Sequence, residues 1–185
     1  MLDAVDAYTK EAEANGLPPA AMGFGINSGE GFIGEMGSTA RHSYDILGDM
    51  VSTAARLEAR CKAYGVLCII GAETYRRTKD DFFYLFLDNL QPKGKSTPDF
   101  IYTALRIPDP GAAAEYLMSQ PYHEQMHEAY RNQDFDRAIG MCKGLKGEFD
   151  SQMDKYYDMW IERCELMKTM KLDKSWNGEW IATEK

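Results

Sequence analysis

The sequence predicts an α/β fold of the α+β kind, with helices laid on a mainly antiparallel sheet and a helical tail behind them. Three observations predict it. The runs Val66-Leu67-Cys68-Ile69-Ile70, Phe82-Phe83-Tyr84-Leu85-Phe86-Leu87 and Phe100-Ile101-Tyr102-Thr103-Ala104-Leu105 are rich in β-branched and aromatic residues and are set apart by turn or helical stretches. Between Asp49 and Tyr64, Val51, Ala54, Leu57, Glu58 and Cys61 recur at helical spacing and are mostly apolar. After Ile107-Pro108-Asp109-Pro110-Gly111, where prolines and glycine stop the last strand, the pattern turns helical.

The elements follow in order. Residues 2–12 form a helix-like stretch ending near Gly16. Gly23, Gly25, Gly29, Gly31 and Gly34 then interrupt strand-like alternation, which weakens a sheet unless something approaches its backbone closely. A purine or a partner chain would supply that reason; a plain glycine-rich hairpin is the alternative. Tyr44, Ile46 and Leu47 suit a strand end, Gly48 a sharp turn, Asp49 a helix cap and Gly65 the helix stop. Ser52 and Arg56 lie four apart on another face of this helix, so Arg56 sits one turn inside an N-terminus whose amides and dipole favour an anion. The plain alternative is a wet surface pair of Arg56 with Asp49 or Glu58. A helical turn at 72–77 and a hairpin turn at 92–98 connect the later strands.

Composition bounds the function classes. The chain has 185 residues, 44% of them hydrophobic, and no apolar run near the roughly 20 residues that cross a bilayer. No signal peptide is visible at Met1-Leu2-Asp3, and a cytoplasmic location is expected. The formal net charge of −8 argues against nonspecific nucleic-acid binding. Cys61, Cys68, Cys142 and Cys164 form no C-x-x-C pair and read as buried reduced thiols.

The block Gly23-Phe24-Gly25-Ile26-Asn27-Ser28-Gly29 through Gly34-Glu35-Met36-Gly37-Ser38 to Tyr44-Asp45-Ile46-Leu47-Gly48-Asp49-Met50-Val51-Ser52-Thr53-Ala54-Ala55-Arg56-Leu57-Glu58 resembles the class III nucleotidyl cyclases. Gln91-Pro92-Lys93-Gly94-Lys95 is similar to that family's later Lys-Gly-Lys turn. The resemblance covers residues 1–106, implies a ferredoxin-like palm, and makes them the C-terminal part of a catalytic domain. It implies a lyase that joins the ribose 3′-hydroxyl of ATP to its own α-phosphate and expels pyrophosphate, giving 3′,5′-cyclic AMP for intracellular signalling. By match to the family motif, Arg56 would hold the charge on the phosphoryl group in transit and Lys93 the leaving phosphates. Asp45 falls where the family reads the purine; an ionised carboxylate only accepts hydrogen bonds, which suits the adenine amino group and not the guanine carbonyl. Ser52 stands where the family has a ribose-orienting asparagine.

The family's cofactors are two divalent cations, Mg²⁺ or Mn²⁺, held by two aspartates on early strands. Those strands have no match here, so the metal ligands are expected ahead of this chain and the 185 residues alone are expected to be inactive. The resemblance also implies a homodimer with active sites at the interface, and membrane attachment only through regions further upstream. The alternative is a non-catalytic regulatory module derived from a cyclase, which the serine at 52 favours.

Residues 107–113 read as a linker and 114–185 as a helical tail able to bind a protein partner. Tyr130-Arg131-Asn132-Gln133-Asp134-Phe135-Asp136-Arg137-Ala138 is similar to one tetratricopeptide turn, with a helix following to about Leu145. Tyr156, Tyr157, Trp160, Cys164 and Met167 mark another helix. A single unit cannot bury its own faces, so the tail is expected to pack on the cyclase part or on a second copy. Ser175-Trp176-Asn177-Gly178-Glu179-Trp180 resembles the tails of bacterial cyclases. His123-Glu124-Gln125-Met126-His127 matches H-E-x-x-H, the pattern of zinc peptidases; a helix there is otherwise accounted for as a packing element.

Overall fold

The computed structural model describes residues 2–18, 22–38, 41–90, 99–173, Trp176 and Gly178. The chain enters through α1 (Leu2–Ala14), which stops where Gly16 turns left-handed at φ +71° and the Leu17 N–H donates back to Ala12 O at 2.8 Å. Strands β1 (Phe24–Ile26), β2 (Phe32–Ser38) and β3 (Arg41–Leu47) precede α2 (Asp49–Tyr64). Then come β4 (Cys68–Gly71), α3 (Ala72–Thr78), β5 (Tyr84–Leu90) and β6 (Asp99–Ala104), followed by α4 (Pro110–Arg131), α5 (Phe135–Leu145) and α6 (Asp154–Lys168).

The main sheet has the order β1-β4-β6-β5. β1 and β4 are parallel, while β4–β6 and β6–β5 are antiparallel, so the sheet is mixed. β2 and β3 form a separate antiparallel ribbon, with Phe32 opposite Leu47 and Gly34 opposite Asp45.

Helix α2 lies directly on β1. A Cβ added to Gly25 would stand 2.1 Å from Ala54 O and 2.4 Å from Glu58 N, so only glycine admits this approach. The close contact expected of a purine or a partner chain at Gly23 and Gly25 is therefore made by the chain's own helix. Gly29 and Gly31 face the Met50 side chain, whereas Gly34 is open.

Two boundaries differ from expectation. Gly48, in extended backbone, is the cap of α2, and Asp49 is its first helical residue, with no capping bond from a side chain. At the other end Asp109 caps α4 by accepting from Gly111 and Ala112 N–H at 2.7 and 3.0 Å, with Pro110 at the first helical position. Residues from Pro110 onward, expected as linker, are thus helix, because Asp-Pro is a helix-start signal as well as a strand stop.

One core runs through the sheet and the tail. Leu57, Cys61 and Tyr64 of α2, Ile69, Leu85, Leu87 and Ile101 of the sheet, and Tyr116, Met126, Ala138, Tyr156 and Trp160 of the tail belong to a single buried cluster. The register slips between Phe86 and Asp88, a bulge in the edge strand β5. There the tail takes hold: His123 Nε2 donates to Phe86 O at 2.7 Å, the Tyr156 hydroxyl to Leu87 O at 2.6 Å, and Arg163 to the Asp88 carboxylate at 2.6 Å. An edge that would otherwise offer unpaired groups is covered. All four cysteines are free and buried. Among the described residues no helix is long and apolar enough to cross a membrane.

Candidate functional site

The β2–β3 ribbon ends at the first turn of α2, and this junction carries three of the four predicted site residues. Asp45 is exposed on β3, where alternation puts it on one face with Gly34, Phe32 and Leu47. Its Oδ1 accepts the Ile46 N–H at 2.8 Å, leaving the other oxygen with no partner among the described residues. Beside it the Gly34 backbone is bare, since a Cβ there would meet nothing within 4 Å.

Four residues on, Asp49 gathers Ser52 and Arg56. Arg56 Nη2 lies 3.5 Å from Asp49 Oδ1 and donates to Thr53 Oγ1 at 3.0 Å, both on the helix's own surface. The Ser52 hydroxyl donates to the Asp49 carbonyl at 3.0 Å, a local bond that turns it back onto the helix. The side chains of Arg56 and Asp49 are 51% and 68% exposed, so the pair adds little stability and leaves the guanidinium reachable by an anion. Lys93 lies outside the described residues.

A cleft of about 440 Å³ adjoins this junction, lined by Asn27 to Glu30 after β1, by Asp49 and Thr53 of α2, by Glu73 and Arg76 of α3 and by Asp99. Its rim is tied by Ser28 Oγ to Thr74 Oγ1 at 2.9 Å and by Arg76 to Glu73 at 2.8 Å. Hydrogen bonds from Arg76 and Arg77 hold the Glu73 carboxyl below the usual carboxylate range. Thr53, which orients Arg56, escaped sequence reading although the i, i+3 offset signals it. Asn27 and Arg76 arrive from other elements and had no local signal.

Acids are present at the cleft, but among the described residues no three His, Cys, Asp or Glu side chains converge so as to hold a metal ion. Glu73 is engaged by two arginines. This donor set does not fit the two cations that the resemblance implies.

The H-E-x-x-H segment is committed elsewhere. Phe86 O can only accept, so His123 Nε2 carries the proton, and Nδ1 then accepts from the Tyr157 hydroxyl at 3.0 Å. The Tyr156 hydroxyl donates to Leu87 O and so accepts from His127 Nε2 at 3.0 Å. Both imidazoles are buried packing groups, while Glu124 is exposed. A zinc-peptidase arrangement of His123, Glu124 and His127 is overturned by this geometry.

No family model matches the chain. Adenylate cyclase 1 of Rhizobium meliloti (strain 1021) is 31% identical over 103 residues, which are 56% of this chain and 16% of that protein. The terminal-differentiation-specific adenylate cyclase of Dictyostelium discoideum is 26% identical over 159 residues, 82% of this chain and 7% of that protein. The chain therefore spans a small part of the length of the curated relatives it matches. The crystal structure of the adenylyl cyclase CyaB from P. aeruginosa aligns with a TM-score of 0.50 at 26% identity, covering 57% of this chain and 53% of that one. In sequence and in fold the chain is thus similar to part of class III nucleotidyl cyclases.

Proposed function

We propose that this chain is the C-terminal portion of an adenylate cyclase catalytic domain with its helical tail, and that the completed enzyme converts ATP to 3′,5′-cyclic AMP and pyrophosphate. In that reaction the ribose 3′-oxygen bonds to the α-phosphorus, the bond to the β-phosphate oxygen breaks, and the hydroxyl proton leaves to solvent. Arg56 neutralises the charge that gathers on the phosphoryl oxygens, held in place by Thr53 and Asp49. The free oxygen of Asp45 accepts the adenine amino group, with the purine lying over the bare backbone at Gly34. Lys93 meets the departing pyrophosphate. Metal ligands come from residues ahead of these, and two chains pair so that each site forms between them.

The observation that carries this reading is the exposed Arg56 guanidinium, oriented by its own helix about two turns past the Asp45 strand. A regulatory module without catalysis is the second reading, favoured by the Ser52 hydroxyl being spent on the Asp49 carbonyl. The test joins this chain to the upstream half of its domain and measures cyclic AMP formed from ATP. Arg56→Ala is expected to lower kcat by about 100-fold or more, the scale for removing one donor to a developing charge. Unchanged turnover in that variant refutes the role of Arg56, and a joined enzyme with no turnover favours the regulatory reading.

A further inference from the structure

Three buried side-chain polar atoms have no hydrogen-bond partner among the described residues: Asn89 Oδ1, Tyr130 Oη and Trp160 Nε1. They come from three elements, β5, α4 and α6, yet all three residues line one cavity of about 270 Å³ between the edge strand and the tail. The Arg163 guanidinium lies near enough to Tyr130 Oη to act on it as a donor outside ideal geometry, which leaves Asn89 Oδ1 and Trp160 Nε1 as the two with none. Buried polar groups are almost always paired, so two such atoms around one space mark a place open to a partner.

The rest of the wall says what kind of partner. Phe86, Phe100 and His127 add aromatic faces to those of Tyr130 and Trp160. The Asp88 carboxylate reaches this wall already saturated, accepting from Tyr64 and Arg163 at 2.6 Å each and from the Asn89 N–H at 2.8 Å. Its charge is balanced by Arg163, and burial keeps His127 neutral. The wall thus offers aromatic surfaces, a fixed indole donor, a fixed amide acceptor and the Arg131 cation, which disfavours a positively charged guest. The volume lies below the roughly 300–1,000 Å³ of drug-sized sites and suits one or two fused rings.

We propose that this cavity binds a small planar heteroaromatic molecule, with a ring acceptor for the Trp160 N–H and an N–H donor for the Asn89 carbonyl, the edge chemistry of a free nucleobase. Bound there, it bridges β5 to α4 and α6 and fastens the tail to the sheet. This holds whether or not the cyclase reading does, because no residue of that site is used.

The test is a titration of the ¹⁵N-labelled 185-residue chain with adenine, uracil and toluene, following the indole resonance of Trp160 identified by its loss in Trp160→Phe. Adenine or uracil should shift that resonance saturably and toluene should not. Asn89→Leu, with its fold checked by the same spectrum, should weaken binding by about three- to tenfold, the scale of one neutral hydrogen bond. Should Trp160→Phe not fold, through-bond assignment replaces it and Asn89→Leu decides. No saturable shift with either base means the cavity holds water alone and overturns the proposal. Equal binding of toluene, or unchanged affinity in Asn89→Leu, overturns it as well.

Discussion

Asp88 and Arg163 meet at 2.6 Å with only 6% of the arginine side chain and 2% of the aspartate exposed. The tail is therefore tied to the sheet by charges taken out of water, and such a pair is more costly to break than to replace. Asp88→Asn should destabilise the chain by about 3 kcal/mol, read from the urea midpoint, and Asp88→Leu by more, since it also leaves the Tyr64 hydroxyl without its acceptor. His123 offers a second handle. Burial pushes its pKa down to about 4, because the charged imidazolium would be stripped of water there. In the unfolded chain it titrates near the ordinary value of about 6.5, so between these two values the unfolded state binds more protons. Stability is complete above about pH 6.5 and falls as pH drops toward 4, by about 3 kcal/mol from this residue. Denaturant titrations from pH 7 to 4 should show that slope, to which His127, kept neutral by the same burial, adds, and His123→Gln should reduce it.

At the scale of elements, α2 was the most legible, since Gly48 and Gly65 punctuate a clear helical period and Gly65 does take the left-handed stop at φ +65°. Its cap was misplaced by one residue because Gly48 supplies extended backbone and Asp49 spends its carboxylate on Arg56. The parallel pairing of β1 with β4 had no signal, for register between distant segments leaves no mark on either one alone. Nor did the left-handed turn of Phe149, Asp150 and Ser151, held by the Tyr116 hydroxyl on Asp150 at 2.6 Å. The glycines were legible as close approaches but not as to what approaches. Gly25→Ala tests that assignment: its methyl would collide with backbone of α2, not with a movable side chain, and should cost at least about 1–3 kcal/mol. Gly34→Ala, opening onto free space, should stay within about 0.5 kcal/mol in the same thermal melts.

At the scale of the molecule, sheet and tail share one core, and the Dictyostelium match covers too much of the chain to omit either. The sequence shows both parts and leads one to expect the tail to pack on the cyclase part or on a second copy, but not where, because the contact rests on side chains such as His123 and Tyr156 meeting a bulged strand far away in sequence. What that core leaves uncovered is the β2–β3 ribbon. Phe32 and Leu47, opposite each other on the Asp45 face, are 83% and 58% exposed. Apolar side chains so bare, beside the proposed purine position, are explained if a second chain covers them. Burying each is worth about 2 kcal/mol, so replacing both by serine should weaken self-association by well over about tenfold. Sedimentation equilibrium on the chain joined to its upstream half should show dimers that Phe32→Ser with Leu47→Ser converts to monomers. The thermal midpoint of the monomer should hardly move, since neither side chain packs within it. Cyclic AMP formation should fall with the dimer. If the double variant still dimerises and turns over, the ribbon is not the interface, and the site must form within one chain.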